Sequence, residues 1–331
     1  MSRSSRRVAC WIVAGVAAST IAIAVAAPPE VHGPASANAF AERLTPPVAP
    51  TVGGCRIFPP DNPWNTRVDK LPVRAGSAAT IAKIQSVGSE NLHPDFGENP
   101  AYGIPYVVVP PDQPLVPIEY GDEAGGESDP GPFPIPLDAP IEGGTDAVGD
   151  RHVIALQQGK CQLFELYSAT RTDLGWSAYS GARFDLSSDA LRPLGWTSAD
   201  AAGLPILPGL LRVDEVASGR VTHAIRVTFS QTQRSYILPA THFASSRTDV
   251  DLPPMGLRLR LRGDYDISAL TGQANVIAIA LQQYGFIVAD NGSNWFFQGA
   301  SEPGWNDDDL AQLKSVPGTA FEVVETGPAR S

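Results

Sequence analysis

Val221-Thr-His-Ala-Ile-Arg-Val-Thr-Phe229 and Leu257-Arg-Leu-Arg-Leu-Arg262 are the stretches whose reading decides the fold. In the first, Val221, His223, Ile225, Val227 and Phe229 take one phase of a two-residue period, and Thr222, Ala224, Arg226 and Thr228 take the other. Successive side chains of an extended chain point to opposite faces, so this pattern specifies a strand with an apolar side and a polar side. In the second, three leucines alternate with Arg258, Arg260 and Arg262, giving a core face backed by a cationic stripe. Pairing with acids on neighbouring strands is the favoured reading of that stripe, with capture of an anionic polymer as the rival.

Working outward, segments 152–156, 162–167, 183–186 and 235–238 share the period of two, and Tyr106-Val-Val-Val109 adds an apolar run. Helical signals are short. They cover 77–87 with Ile81, Ile84 and Val87 on one side, 198–202, 211–218 ended by Gly219, 272–284 ended by Gly285, and 307–316. Between Pro94 and Pro140 prolines recur so often that only loops and edge strands fit. No fixed repeat is present. The expected fold is all-β or β-rich α+β, a sandwich or jelly-roll-like single domain with a few short helices, covering 55–331.

Composition bounds the function. The chain has 331 residues, a formal charge of −11, 43% hydrophobic and 18% charged residues. Those values exclude a disordered tail, a collagen-like fibre and a polytopic membrane protein. An acidic balance also argues against a nucleic-acid partner, whose phosphates require a basic surface. Glycine and proline number 31 each, which rules out long helices.

Arg3, Arg6 and Arg7 precede an apolar run from Val8 to Ala27, and Pro28-Pro29 then stops any helix. This order of charge and hydrophobicity is that of a secretory signal over 1–27, with cleavage as late as 39; an uncleaved anchor is the rival and the one route to a membrane. Its removal would take the formal charge from −11 to −14, since it carries three arginines and no acid. Residues 28–54 read as a Pro/Ala-rich linker. Cys10 falls in the signal, leaving Cys55 and Cys161 as an even pair. In an oxidising compartment they are expected to form a disulfide, two buried thiols being the alternative. A secreted or envelope-associated monomer is the expectation.

No HExxH, GxxxxGK[ST], GxGxxG or CxxC occurs, so no cofactor or metal is expected from a motif. Gly175-Trp-Ser-Ala-Tyr179 begins like a nucleophile elbow, but Tyr179 stands where the tight turn needs glycine. Three constellations remain. Glu215 precedes a glycine stop and a strand bearing His223, an arrangement that raises a carboxyl by desolvation and orients an imidazole; the plainer reading is a core histidine with Asp214 or Glu215 paired to Arg212 or Arg226. Ala289-Asp-Asn-Gly-Ser-Asn-Trp295 follows a strand and offers Asp290, Asn291 and Trp295 to a sugar, or else forms an Asn-Gly hairpin turn over a buried tryptophan. Asp61-Asn-Pro-Trp-Asn65 supplies Trp64 and Asn65 as a cleft wall, with His242 nearby, or a loop staple.

Phe58-Pro-Pro-Asp-Asn-Pro-Trp-Asn65, Glu127-Ser-Asp-Pro-Gly-Pro132, Gly149-Asp-Arg-His152, Leu191-Arg-Pro-Leu-Gly-Trp-Thr-Ser-Ala-Asp-Ala-Ala-Gly-Leu-Pro205, Pro253-Pro-Met-Gly256 and Ala289-Asp-Asn-Gly-Ser-Asn294 resemble a recurrent family of exported proteins from soil bacteria. The resemblance spans about residues 55–325. It implies export and a single-domain extent, and it supplies no catalytic residue.

The function expected from the residues is that of a secreted carbohydrate-active protein, a glycoside hydrolase acting on an extracellular or cell-wall polysaccharide. Glu215 and Asp290 serve as acid and base or nucleophile, and His223 tunes one of them. Trp64, Asn65, Asn291, Trp295 and His242 bind the sugar. The alternatives are a non-catalytic envelope or glycan-binding protein, and a metalloenzyme ligated by His152, His223 and His242.

Overall fold

The computed structural model describes residues 49–331; the expected export signal and most of the expected linker lie outside the described residues. Strand Ile225–Phe229 occupies the interior of a six-stranded mixed sheet. In order across that sheet stand Phe321–Val323, Arg258–Leu261, Phe286–Asn291, Ile225–Phe229, Phe296–Phe297 and His93–Pro94. The two strands that carry the site chemistry, Ile225–Phe229 and Phe286–Asn291, run parallel, with a register shift between Val227 and Thr228. Parallel neighbours need a crossover. Here it passes through Arg258–Leu261 and helix Gly272–Gln283, whose Ala274, Ile277, Ala278 and Leu281 form the buried stripe.

All five residues of Ile225–Phe229 are buried, so its polar phase does not meet solvent. Arg226 instead enters a buried ion pair, described below. The arginine stripe of Arg258–Leu261 is likewise put to internal use. Arg258 donates to the carbonyls of Pro63, Thr66 and Tyr284, and Arg260 to those of Val68 and Leu71 as well as to the Glu322 carboxylate. Two planar donor forks therefore clamp the 63–71 loop onto the sheet, and only Arg260 and the more exposed Arg262, beside Asp264, meet acids.

A second sheet runs Ser180–Asp185, Gln162–Tyr167, Val153–Gln157 and Val107–Val109, antiparallel except for the last, parallel pair. One of its faces joins the main core through Ile154, Leu156 and Leu163. The other packs Val153, Ala155 and Phe164 against Phe133 and Ile135 of the proline-rich segment in a smaller core. The domain is thus β-rich with a few short helices.

Cys55 and Cys161 form a disulfide with Cα atoms 5.4 Å apart. The bond joins hairpin Thr51–Val52/Cys55–Arg56 to the turn before Gln162–Tyr167. Val52 is buried, so folded chain begins N-terminal to the expected boundary at Cys55. Such a bond indicates a non-cytosolic environment. No helix among the described residues is long and apolar enough to cross a membrane.

Candidate functional site

Where the two sheets approach, Asp150, Tyr167, Tyr179, Ser180, Asp200, His242, Asp290 and Asn291 line a cleft of about 460 Å³. Each sheet contributes. Tyr167 ends its strand beside Ser180, while Asp290 and Asn291 end Phe286–Asn291. The turn carrying Asp200 is held by Ser198, whose hydroxyl meets the carbonyls of Asp200 and Leu204 and accepts the Asp200 N–H. This serine–aspartate turn replaces the short helix expected over 198–202: the Ala202 N–H, which a helix would direct to the Ser198 carbonyl, goes to the carbonyl of Ala289, and the Ser198 carbonyl accepts the Ser180 hydroxyl instead.

Asp200 is fully buried, and Arg226 grips it with Nη2 at 2.7 Å and Nε at 3.1 Å. The third arm of Arg226 donates to Gln298 Oε1 at 2.8 Å. Asp290 lies at the edge of this pair, 3.8 Å from Arg226 Nη2, about 22% exposed, and hydrogen-bonded to Asp200. Burial, reinforced by the neighbouring Asp200 carboxylate, holds the Asp290 carboxyl well above the ordinary aspartate range against the opposing pull of Arg226. The Asp290 carboxyl therefore holds a proton more readily than an ordinary aspartate does.

Behind the wall, burial works against charge on His152, but the Glu142 carboxylate 2.6 Å from Nδ1 prevails and raises the imidazole to about 9. Its Nε2 faces the carbonyl of Ala199, so both ring nitrogens donate. Glu165, fully buried, accepts the N–H groups of Ile206 and Leu207, and burial lifts it to about 7.

Of the residues expected in a site, Asp290, Asn291 and His242 come together here. His242 donates from Nδ1 to the carbonyl of Ala201 at 2.7 Å, and Asn291 is held by Thr232 and the carbonyl of Ala244. Glu215 and His223 do meet, at 2.9 Å, but away from the cleft and together with Arg212, whose Nη2 also reaches Glu215. Arg212 and His223 are fully buried and Glu215 only 9% exposed, so the pairing with Asp290 across one cleft is corrected: Glu215 is held by Arg212 and His223, and Asp290 lies beside Arg226.

Trp64 and Trp295 are also corrected. Both are buried, Trp295 completely, and offer no face to a sugar. Trp64 lies under Gly209, where an added Cβ would come within 2.7 Å of its ring and 2.9 Å of the Arg226 Cβ. Trp295 donates from its indole to Gln85, and Asn294 ties the same loop to the carbonyls of Ile84 and Val87. Asn65 is buried too, its amide donating to the carbonyls of Ile57 and Pro59. Asn291-Gly292 is not a two-residue hairpin, since Phe286–Asn291 and Phe296–Phe297 both pair with Ile225–Phe229 and not with each other.

The three-histidine metal alternative fails on geometry. His152, His223 and His242 are committed to Glu142, Glu215 and the Ala201 carbonyl respectively, and no group of three or more His, Cys, Asp or Glu among the described residues is placed to share a metal ion. Ser177 pairs within strand Trp176–Ala178 and forms no nucleophile elbow.

Sequence reading missed Asp200, Asp150, Tyr167 and Tyr179. The available signal was an aspartate set in Ser198-Ala-Asp-Ala-Ala202, a small-residue context that leaves a carboxylate no solvent and so demands a buried cation. Compared with known proteins, the chain matches no family model, no curated protein and no solved structure.

Proposed function

We propose that the chain is an exported, carbohydrate-active protein, and that this cleft hydrolyses glycosidic bonds of an extracytoplasmic polysaccharide. The observation that carries the reading is Asp290, a carboxyl beside the buried Asp200–Arg226 pair and held well above the ordinary aspartate range, at the wall of an open cleft lined with hydroxyls and further carboxyls. Glycoside hydrolysis needs one carboxylic acid to protonate the leaving oxygen and a second carboxylate to activate water or stabilise the sugar cation. Asp290 supplies the first. Asp150, placed beside Tyr167 on the same cleft, supplies the second. Asp200, gripped by Arg226 on both oxygens, stands beside Asp290 and helps to raise its carboxyl.

The test is Asp290→Asn. Asparagine reproduces the shape and neutrality of the protonated acid and cannot transfer its proton. Release of reducing sugars from plant, fungal and bacterial wall glycans is expected to vanish, with the unfolding midpoint nearly unchanged. Wild-type turnover in the variant would defeat the assignment. A non-catalytic glycan-binding role is the second reading, favoured by the complete engagement of Asp200 in its ion pair; it predicts glycan retention by wild type and variant alike, without products from either.

A further inference from the structure

We infer that the cleft selects a cationic saccharide, an amino-sugar polymer with free ammonium groups, over neutral and uronic-acid glycans. This rests on the saccharide reading and adds the substrate class to it. The argument is the make-up of the walls. Glu123, Glu127 and Asp150 join the Asp200–Asp290 pair, and no lysine or arginine lines the cleft.

The nearby cations are turned elsewhere. Arg226 is spent on Asp200 from beneath. Arg151, next to Asp150, donates to the carbonyls of Thr145, Ala147 and Ala169. Arg192 lies behind the wall, where it pairs with Asp129, donates to the backbone carbonyls of Glu127 and Thr197, and lies over the rings of Phe184 and Trp196. No salt bridge engages Glu123, Glu127 or Asp150 among the described residues; Glu127 Oε2 accepts the Thr197 N–H at 3.1 Å and the buried His152 lies near Asp150, and the three carboxylates leave the wall with a net negative charge.

Aromatic rings complete the arrangement. Tyr167 and Tyr179 meet edge to face with centroids 5.7 Å apart, and Tyr179 is 43% exposed. Tyr179 lies beside Glu123 and Tyr167 beside Asp150, so each ring sits next to a carboxylate. An aromatic face next to a carboxylate attracts an ammonium by ring quadrupole and charge together, and attracts a neutral acetamide by neither. A uronate would be repelled by every carboxylate on the wall.

The experiment compares glucosamine, N-acetylglucosamine and galacturonate hexasaccharides with the full exported chain at pH 6, scoring affinity and products. Glucosamine hexamer is expected to bind about tenfold tighter than its acetylated form, an advantage reduced by high salt and by Glu123→Gln or Glu127→Gln, with no binding of the galacturonate. Equal use of the glucosamine and acetylated hexamers would overturn the charge selectivity and leave the saccharide reading standing. Preference for galacturonate would overturn it as well. Binding of spermidine without any hexasaccharide would overturn the saccharide reading itself.

Discussion

Arg226 holds both oxygens of Asp200, and approaches Asp290 no closer than 3.8 Å. One cation thus stands between a buried acid and a partly exposed one and favours the buried one. Arg226→Met leaves a buried aspartate without its counter-ion and is expected to lower stability by about 3–5 kcal/mol in urea unfolding. Adding Asp200→Asn to that variant removes the stranded charge and is expected to restore part of the loss. Simple additivity of the two changes would show that they do not share a network.

Loss of the Cys55–Cys161 bond is expected to be costly because the loop it closes spans a sequence separation of 106 residues. The chain-entropy model gives about 4–5 kcal/mol for a loop of that length. The paired change Cys55→Ala/Cys161→Ala should reproduce the effect of a thiol reductant on the wild type in denaturant titrations. Reductant that leaves the midpoint where it was would mean that the bond contributes little.

Stability should fall as pH rises through the alkaline range. His152 is raised to about 9 in the folded chain from an ordinary 6.5, so its contribution is complete below 6.5 and disappears as pH climbs through 9. Glu165, raised to about 7 from 4.5, acts in the same direction between those values. Together they make pH 6 more favourable than pH 10. The His152 share is on the order of 3 kcal/mol. Urea midpoints from pH 6 to 10 should show the decline, and His152→Gln should flatten its upper half.

At Gly318 a side chain would be driven into the Trp295 indole, which is buried against Phe229 and Phe321. Gly318→Ala is therefore expected to destabilise by about 1–3 kcal/mol. Calorimetry of the single variant suffices, and an unchanged melting temperature would contradict the packing.

The sequence was legible wherever one periodic pattern decided the outcome. Alternation in 221–229 and 257–262 located two central strands, and Gly219 and Gly285 lie just past the ends of helices Val213–Ala217 and Gly272–Gln283. Pattern alone could not say what the polar phase would meet. The sequence offers Arg226 Asp214 or Glu215 and Arg258 the acids of neighbouring strands, and both are buried because one finds Asp200 and the other finds carbonyls. The meeting of Glu215 with His223 was readable because eight residues and one turn separate them. The Asp290 cleft was readable only in part, since Asp150, Asp200 and Asp290 come from three distant segments that pair only after both sheets form.

The loop that begins with Asp290 at the cleft ends with Asn294 and Trp295 fastened to helix Ser77–Gln85 and the strand beyond it. Its two ends are fixed to different parts of the fold, so its length acts as a ruler. One residue inserted or removed between Asp290 and Asn294 would carry the acid off its place beside Asp200 or pull the tryptophan from its socket. Among descendants of this chain, these few residues must keep their number even where their identities drift.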